Sequence, residues 1–240
     1  MSGPQLDMLG PKADAPFPPT DHALRRPNGL LAWGGGLEPE RLLRAYRRGI
    51  FPWYSEGEPI LWWTPDPRCV LVPDQVYLSS RTRRRFNSGC YRVTADTAFA
   101  EVMGGCAEPR DGVAGTWITA ELKASFVHLH ERGICHSVEV WQEQRLVGGI
   151  YGMALGKVFF GESMFSRAVD ASKIALIALC RQLQQWGFGM LDCQVTNPHL
   201  LSMGAVEIPR NDFLARIEQR VQLPVQPTLW KGRFSVADQW

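Results

Sequence analysis

Two carboxylates and an amide are the first candidates for chemistry. Asp192 and Gln194 are two apart in Leu191-Asp192-Cys193-Gln194-Val195, part of an apolar run that reads as a strand from Met190 to Val195. Positions i and i+2 of a strand share a face, so the spacing predicts a carboxylate and an amide side by side. A cleft lined by hydrogen-bonding groups explains that pattern better than packing does, although a satisfied buried polar pair would look the same. Glu162, in Gly161-Glu162-Ser163-Met164-Phe165-Ser166, stands at the end of another apolar strand, just before a helix. Burying it alone would be costly, so it is either a site residue or a capping or ion-pair partner of Lys173 or Arg167.

Positive charge forms a further constellation. Arg81, Arg83, Arg84 and Arg85 crowd one short helix, and Arg41, Arg44, Arg47 and Arg48 another, with Arg41, Arg44 and Arg48 on one face at i, i+3 and i+7. Such a face is either simply solvated or docks an RNA backbone. The net charge of only +2 in 240 residues means that any nucleic-acid contact must come from a local patch of this kind. His128 and His130, at i and i+2 of a helix, point in roughly opposite directions and read as structural or exposed. The six cysteines form no CxxC pair and have no nearby His pair, so no metal site is expected.

Composition places these residues in a folded chain. A hydrophobic content of 45% is enough for a core, and 21% charged residues lies below the disordered regime. Residues 1–19 are polar and proline-rich with no apolar signal core, and no stretch approaches the roughly 18 apolar residues of a membrane span. Reduced thiols in a cytoplasmic protein, monomeric by default, are the expectation.

The positioning elements read as follows. A leader to about residue 20 is expected to lie loosely or extended over the surface. A Trp-rich block with little regular structure follows, containing Trp33, Trp53, Trp62 and Trp63 and one helix with Pro39 in its first turn and Gly49 past its end. Most of these rings suit a small core, and at least one suits a ligand. Pro65 and Pro67 mark a boundary. Beyond it, strands are predicted at 69–72 and 91–95, and helices after Ser79, from Asp96 to about Cys106, and after Thr119 with Leu122, Phe126 and Leu129 at i, i+4 and i+7. A meander over 137–141, 146–154 and 158–165 leads to an apolar helix over 171–186, the Asp192 strand and a short helix at 198–203. That order gives an α+β chain with a mixed sheet.

The order also resembles acetyltransferases, which hold a coenzyme pyrophosphate on a glycine-rich loop at a helix N-terminus. Residues 162–170 contain no glycine and carry carboxylates at both ends, a poor cradle for acetyl-CoA.

Phe51-Pro52-Trp53-Tyr54, Trp62-Trp63-Thr64-Pro65-Asp66-Pro67-Arg68, Gly115-Thr116-Trp117-Ile118-Thr119, Gly161 to Ser166 and Asp192-Cys193-Gln194 closely resemble the leucyl/phenylalanyl-tRNA–protein transferase family. The resemblance runs from about Pro18 to Ile217 and leaves out the leader and the tail after Leu223. It implies a small N-terminal domain over 1–66 and a catalytic domain of acetyltransferase-like (GNAT) fold over 67–240. It implies Leu-tRNA and Phe-tRNA as donors, proteins beginning with Arg or Lys as acceptors, and neither metal nor cofactor. By resemblance, Asp192, Gln194 and Glu162 are catalytic, and Glu162 and Asn197 meet the acceptor peptide. Trp53 and Trp117 take the aminoacyl-adenosine, with Ile150, Phe159, Leu176 and Leu191 as apolar walls. Arg44, Arg48, Arg81, Arg83 and Arg84 are expected on the tRNA backbone. Glutamine does not titrate, so Gln194 is expected to position, oriented and polarised by Asp192. Two other readings compete: a small-molecule N-acetyltransferase and a noncatalytic RNA-binding module.

Overall fold

In the computed structural model the described residues are 6–109, 116–224 and 230; Gly115 and nearly all of the tail after Leu223 lie outside them. The N-terminal part builds a small sheet where the sequence reading expected little regular structure. Its strands are β1 (Asp7–Leu9), β2 (Leu30–Gly34), β3 (Phe51–Pro52) and β4 (Leu61–Trp63), with α1 (Pro39–Arg47) between β2 and β3. The spatial order is β1-β2-β4-β3. Strands of two to five residues are too short to show an alternating pattern, which is why the sheet is not legible in sequence.

The remaining elements are β5 (Arg68–Leu71), α2 (Ser80–Asn87), β6 (Arg92–Ala95), α3 (Phe99–Ala107), α4 (Ala120–Glu131), β7 (Cys135–Gln142), β8 (Arg145–Leu155), β9 (Val158–Ser166), α5 (Ala171–Gln185), β10 (Met190–Gln194), α6 (Pro198–Ser202), β11 (Val206–Ile208) and α7 (Arg210–Arg220). Seven strands form one mixed sheet in the order β11-β5-β10-β9-β8-β7-β6. The α+β mixed-sheet expectation is met. Ser79 and Thr119 cap α2 and α4 by accepting from the backbone N–H groups of Thr82 and Leu122. Leu122, Phe126 and Leu129 are fully buried, as their spacing predicts.

α3 starts at Phe99, not Asp96, because Asp96 and Thr97 are engaged elsewhere. Asp96 accepts from the Ser137 N–H and contacts His136, while Thr97 donates to the buried Glu139. α7 and β11 are additions to the sequence reading; only Phe213 and Ile217 of α7 are buried, too few to mark a helix face.

α3 and α4 cover one face of the large sheet together with α1, while α5 covers the other, so β8 is buried along almost all its length. One apolar core joins the small sheet to the α3/α4 face and includes Leu31, Tyr46, Trp62, Phe126, Phe160 and Phe213. Gly49 makes the join possible. It sits at φ +69°, and a Cβ there would lie 2.7 Å from the Phe213 ring.

The leader is neither loose nor merely draped. β1 adds a parallel strand to β2, and Leu9 and Phe17 are buried. Arg41, fully buried, donates from Nη2 to the carbonyls of Gly10 (3.0 Å) and Lys12 (2.6 Å). Arg48 donates to those of Phe17 (2.8 Å) and Pro18 (2.9 Å). The expected solvated arginine face of α1 is therefore largely an internal clamp. Arg48 is committed to the leader, and the Nε and Nη2 of Arg44 are shielded from solvent, so neither displays an open fork for phosphate. Removing the clamp should free the leader. Arg41→Ala is expected to cost about 3 kcal/mol and to open Lys12 to trypsin under native conditions; an unchanged native digestion pattern would contradict the clamp.

Candidate active site

β9 and β10 run parallel only over Val158–Phe160 and Met190–Asp192. β9 then stays with β8, whereas β10 follows β5, and the two separate. A cleft of about 320 Å³ opens where they part. Its floor holds Glu162 and Gln194, one rim holds Trp53 and Trp117, and Ile150, Leu176 and Leu191 wall the α5 side.

Asp192 and Gln194 do not share a face. A bulge falls between them, and Gln194 takes φ +61°, so Gln194 turns into the cleft while Asp192 points into the core below it. Asp192 is fully buried and bidentate to Arg68, accepting from Nε at 2.8 Å and Nη2 at 2.7 Å. Arg68, also buried, donates its third nitrogen to the Gly49 carbonyl at 3.0 Å and lies between the rings of Phe51 (4.8 Å) and Phe213 (4.5 Å). Oδ1 of Asp192 also accepts the backbone N–H of Gln194 at 2.9 Å. The expectation that Asp192 orients the Gln194 amide is thus corrected: Asp192 fixes the backbone of Gln194 and does not touch its side chain.

The amide is oriented by Glu162. Oε1 of Glu162 accepts from Gln194 Nε2 at 2.9 Å and from the Tyr46 hydroxyl at 2.6 Å. With the amide nitrogen turned toward Glu162, Gln194 Oε1 and Glu162 Oε2 carry no hydrogen bond among the described residues, and both residues line the cleft. Burial is the main force on the Glu162 carboxyl and pushes its pKa up to about 8. The Tyr46 and Gln194 hydrogen bonds and the charge of Arg68 hold it down, and the charge of Asp192 pushes it further up. The same burial, with Glu162 beside it, raises the Tyr46 phenol well above its ordinary range. Glu162 caps nothing and pairs with neither Lys173 nor Arg167; those two pair with Asp170 and Glu108.

The rings divide as the sequence suggested. Trp62 is fully buried and donates to the Gly34 carbonyl at 2.9 Å, while Trp53 remains 45% exposed at the cleft. Phe159 does not line the cleft. It is buried one layer deeper, its ring 5.7 Å from that of Trp230. Asn197 lines the cleft and caps α6 by accepting from Leu200 N–H. Arg81, Arg83 and Arg84 are exposed on α2. His130 stacks on Phe99 at 4.2 Å, and the exposed His128 lies beside Glu131. Two residues central to the site, Tyr46 and Arg68, were not singled out in the sequence. Arg68 gave a signal, as a lone cation opening the apolar run Cys69-Val70-Leu71-Val72, which demands a buried counter-charge.

Asp192→Asn leaves a buried guanidinium without its anion and is expected to cost about 3–5 kcal/mol. Gln194→Ala breaks no ion pair and should shift the denaturation midpoint little. Equal midpoint losses in urea would refute this division between support and site.

The family models and the curated relatives agree. The family described as leucyl/phenylalanyl-tRNA protein transferase matches residues 70–218, and its N-terminal domain matches residues 35–66. Curated proteins named leucyl/phenylalanyl-tRNA–protein transferase are similar over most of their length. That of Stutzerimonas stutzeri is 56% identical over 88% of this chain and 93% of its own. That of Nitrosomonas europaea is 55% identical over 93% of this chain and 94% of its own. Among solved structures, L-PGS from Bacillus licheniformis aligns with a TM-score of 0.38 at 11% identity over 70% of this chain and 53% of that one. A GCN5-related N-acetyltransferase from Kribbella flavida aligns with a TM-score of 0.36 at 10% identity over 68% and 58%.

Proposed function

The chain belongs to the leucyl/phenylalanyl-tRNA protein transferase family, and on that premise we propose that it transfers Leu or Phe from aminoacyl-tRNA to the N-terminal amine of proteins beginning with Arg or Lys. The added residue marks the acceptor for degradation. The observation that carries the mechanism is the pair of unbonded acceptors, Gln194 Oε1 and Glu162 Oε2, at the floor of a cleft with aromatic and apolar walls.

An α-amine has a pKa near 8, so it arrives largely as an ammonium. The two oxygens receive that ammonium. Gln194 holds it by hydrogen bond, and ionised Glu162, matched at about 8, takes its proton. The freed nitrogen attacks the ester carbonyl carbon; the C–N bond forms, the carbonyl-to-ribose oxygen bond breaks, and the ribose oxygen leaves with a proton. The neighbouring ribose hydroxyl relays that proton. One proton per transfer is released overall. The ester is already activated, so alignment supplies much of the barrier reduction.

Trp53 and Trp117 stack on the terminal adenine, a contact worth about 1–3 kcal/mol. Ile150, Leu176 and Leu191 receive the Leu or Phe side chain, with Phe159 as backing behind them. Shape selection in such a pocket is limited to about 1–3 kcal/mol per methylene, so Met is transferred less well but measurably. Asn197 offers its amide N–H groups to the acceptor backbone. Before it takes that proton, the ionised form of Glu162 also favours a cationic first residue. Arg81, Arg83 and Arg84 hold acceptor-stem phosphates. Asp192 acts through Gln194 and is a positioning residue. The two matched segments support a division at 66/67 into an N-terminal unit and a catalytic unit.

Labelled Leu-tRNA mixed with a peptide beginning with Arg should yield labelled peptide. The rate should rise with pH through about 8, because the active Glu162 is the ionised form and lies above its raised pKa. No label in the peptide, or acetylation of it from acetyl-CoA, would overturn the reading.

A further inference from the structure

β5 and β10 carry the Arg68–Asp192 ion pair on one face and two thiols on the other. Their register pairs Leu71 with Leu191 and Val70 with Asp192, so an unbroken ladder would place Cys69 opposite Cys193. The bulge pairs Cys69 with Gln194 instead, so that Cys193 and Gln194 together stand opposite Cys69. Cys69, Leu71 and Leu191 belong to the core on the α5 face, and Cys193 packs against the same core. The two cysteines are therefore cross-strand neighbours on one face, and both are free thiols. A hydrogen bond between them holds the Cys69 thiol below its ordinary range and Cys193 well above it, and the Thr196 hydroxyl adds to the effect on Cys69.

Their access to solvent differs. Cys69 is sealed, whereas Cys193 is half-buried and lines the cleft beside Gln194. Among the described cysteines only Cys193 lines that cleft. A small uncharged oxidant entering it meets the Cys193 sulfur, with a second thiol directly behind. This is the arrangement of an oxidisable cysteine poised beside its resolving partner.

We infer that Cys69 and Cys193 are a peroxide-oxidisable dithiol, and that their disulfide shuts the transfer site. The Cys193 sulfur attacks one oxygen of hydrogen peroxide and gives up its proton. The O–O bond breaks, one water leaves, and Cys193 becomes a sulfenic acid. The Cys69 sulfur then attacks the Cys193 sulfur and gives up its own proton. The S–O bond breaks, the S–S bond forms and a second water leaves. Two thiols are oxidised, and one peroxide is reduced to two waters. A thiol reductant reverses the bond by exchange.

The bond reaches the chemistry through the bulge. Directly opposed strand residues keep their Cβ atoms about 4.5–5.5 Å apart, whereas a disulfide draws them to about 3.8 Å. Closure therefore pulls Cys193 toward β5 by on the order of 1 Å. Cys193 stands between Asp192, whose Oδ1 holds the Gln194 N–H, and Gln194, whose Nε2 reaches Glu162. A displacement of about 1 Å in such a site costs about 100-fold in rate. The lost activity rests on the transferase reading; the bond itself does not.

The test treats the full chain with hydrogen peroxide, blocks the remaining thiols, and compares each protein with its own reduced form. Transfer is followed from Leu-tRNA to an Arg-starting peptide. The wild-type chain should lose two hydrogens in mass and link tryptic peptides 69–81 and 182–210. Its kcat should fall about 100-fold when fully linked, and dithiothreitol should restore both mass and rate. Cys69→Ala cannot form the bond; it should gain an oxygen on Cys193 instead and lose less of its rate. No link between those peptides, a link from Cys193 to Cys180 in its place, a linked chain with unchanged kcat, or an equal loss in Cys69→Ala would overturn the inference. A reduced wild-type chain that labels no peptide would overturn the transferase reading, and the switch with it, even where mapping finds the bond.

Discussion

An ion pair sealed from water, Arg68 with Asp192, is the constraint on which the site depends. Neither charge is stable alone in that core, so each fixes the other. The consequences run in both directions. Toward the N-terminal sheet, Arg68 binds the Gly49 carbonyl and the Phe51 ring, and it also meets the Phe213 ring of α7. Toward the cleft, Asp192 holds the N–H of Gln194, and with it the left-handed turn that brings the amide round to Glu162. A left-handed glutamine is strained, and the Asp192 hydrogen bond is what offsets the strain. Positioning and stability therefore share the same atoms.

The same arrangement makes the N-terminal sheet part of the site. Phe51 of β3, Trp53 just after it and Tyr46 of α1 come from this N-terminal part, whereas Glu162, Gln194 and the apolar wall come from the large sheet and α5. Only when both are docked does Tyr46 reach Glu162. The Arg41 and Arg48 clamp, Gly49 against Phe213, and the shared core accordingly bear on catalysis through the placement of one hydroxyl. Arg41 and Arg48 do structural work at the leader, while Arg81, Arg83 and Arg84 of α2 display positive charge.

Much of the large sheet was legible because its elements are long and regularly patterned. The β7–β9 meander, α4 with its Thr119 cap, and α5 follow the sequence reading within a residue or two. What escaped was short or non-local. β1 to β4 have too few residues for a period, and α7 buries too few side chains. The site residues Glu162, Gln194 and Asp192 were visible as polar types in apolar strands. Their wiring was not, because the bulge between Asp192 and Gln194 breaks the period-two rule on which the reading relied. Tyr46 was hidden inside an amphipathic helix, where its ring alone explains its position; its hydroxyl partner is 116 residues away. Arg48 shows the converse, since charge in a helix says nothing about whether a leader lies across it.

The central claim is that this network holds the half-buried Glu162 at the cleft with two donors on one oxygen, ready for a proton from the incoming amine. Its most direct test is the titration of the Glu162 carboxyl itself, followed by isotope-edited infrared difference spectroscopy in the free protein. The account predicts that the protonated-acid band disappears with a midpoint near 8, moving higher in Gln194→Ala, where a hydrogen bond to the ionised form is lost. A midpoint near the ordinary glutamate value of about 4.3, unaffected by Gln194, would contradict it.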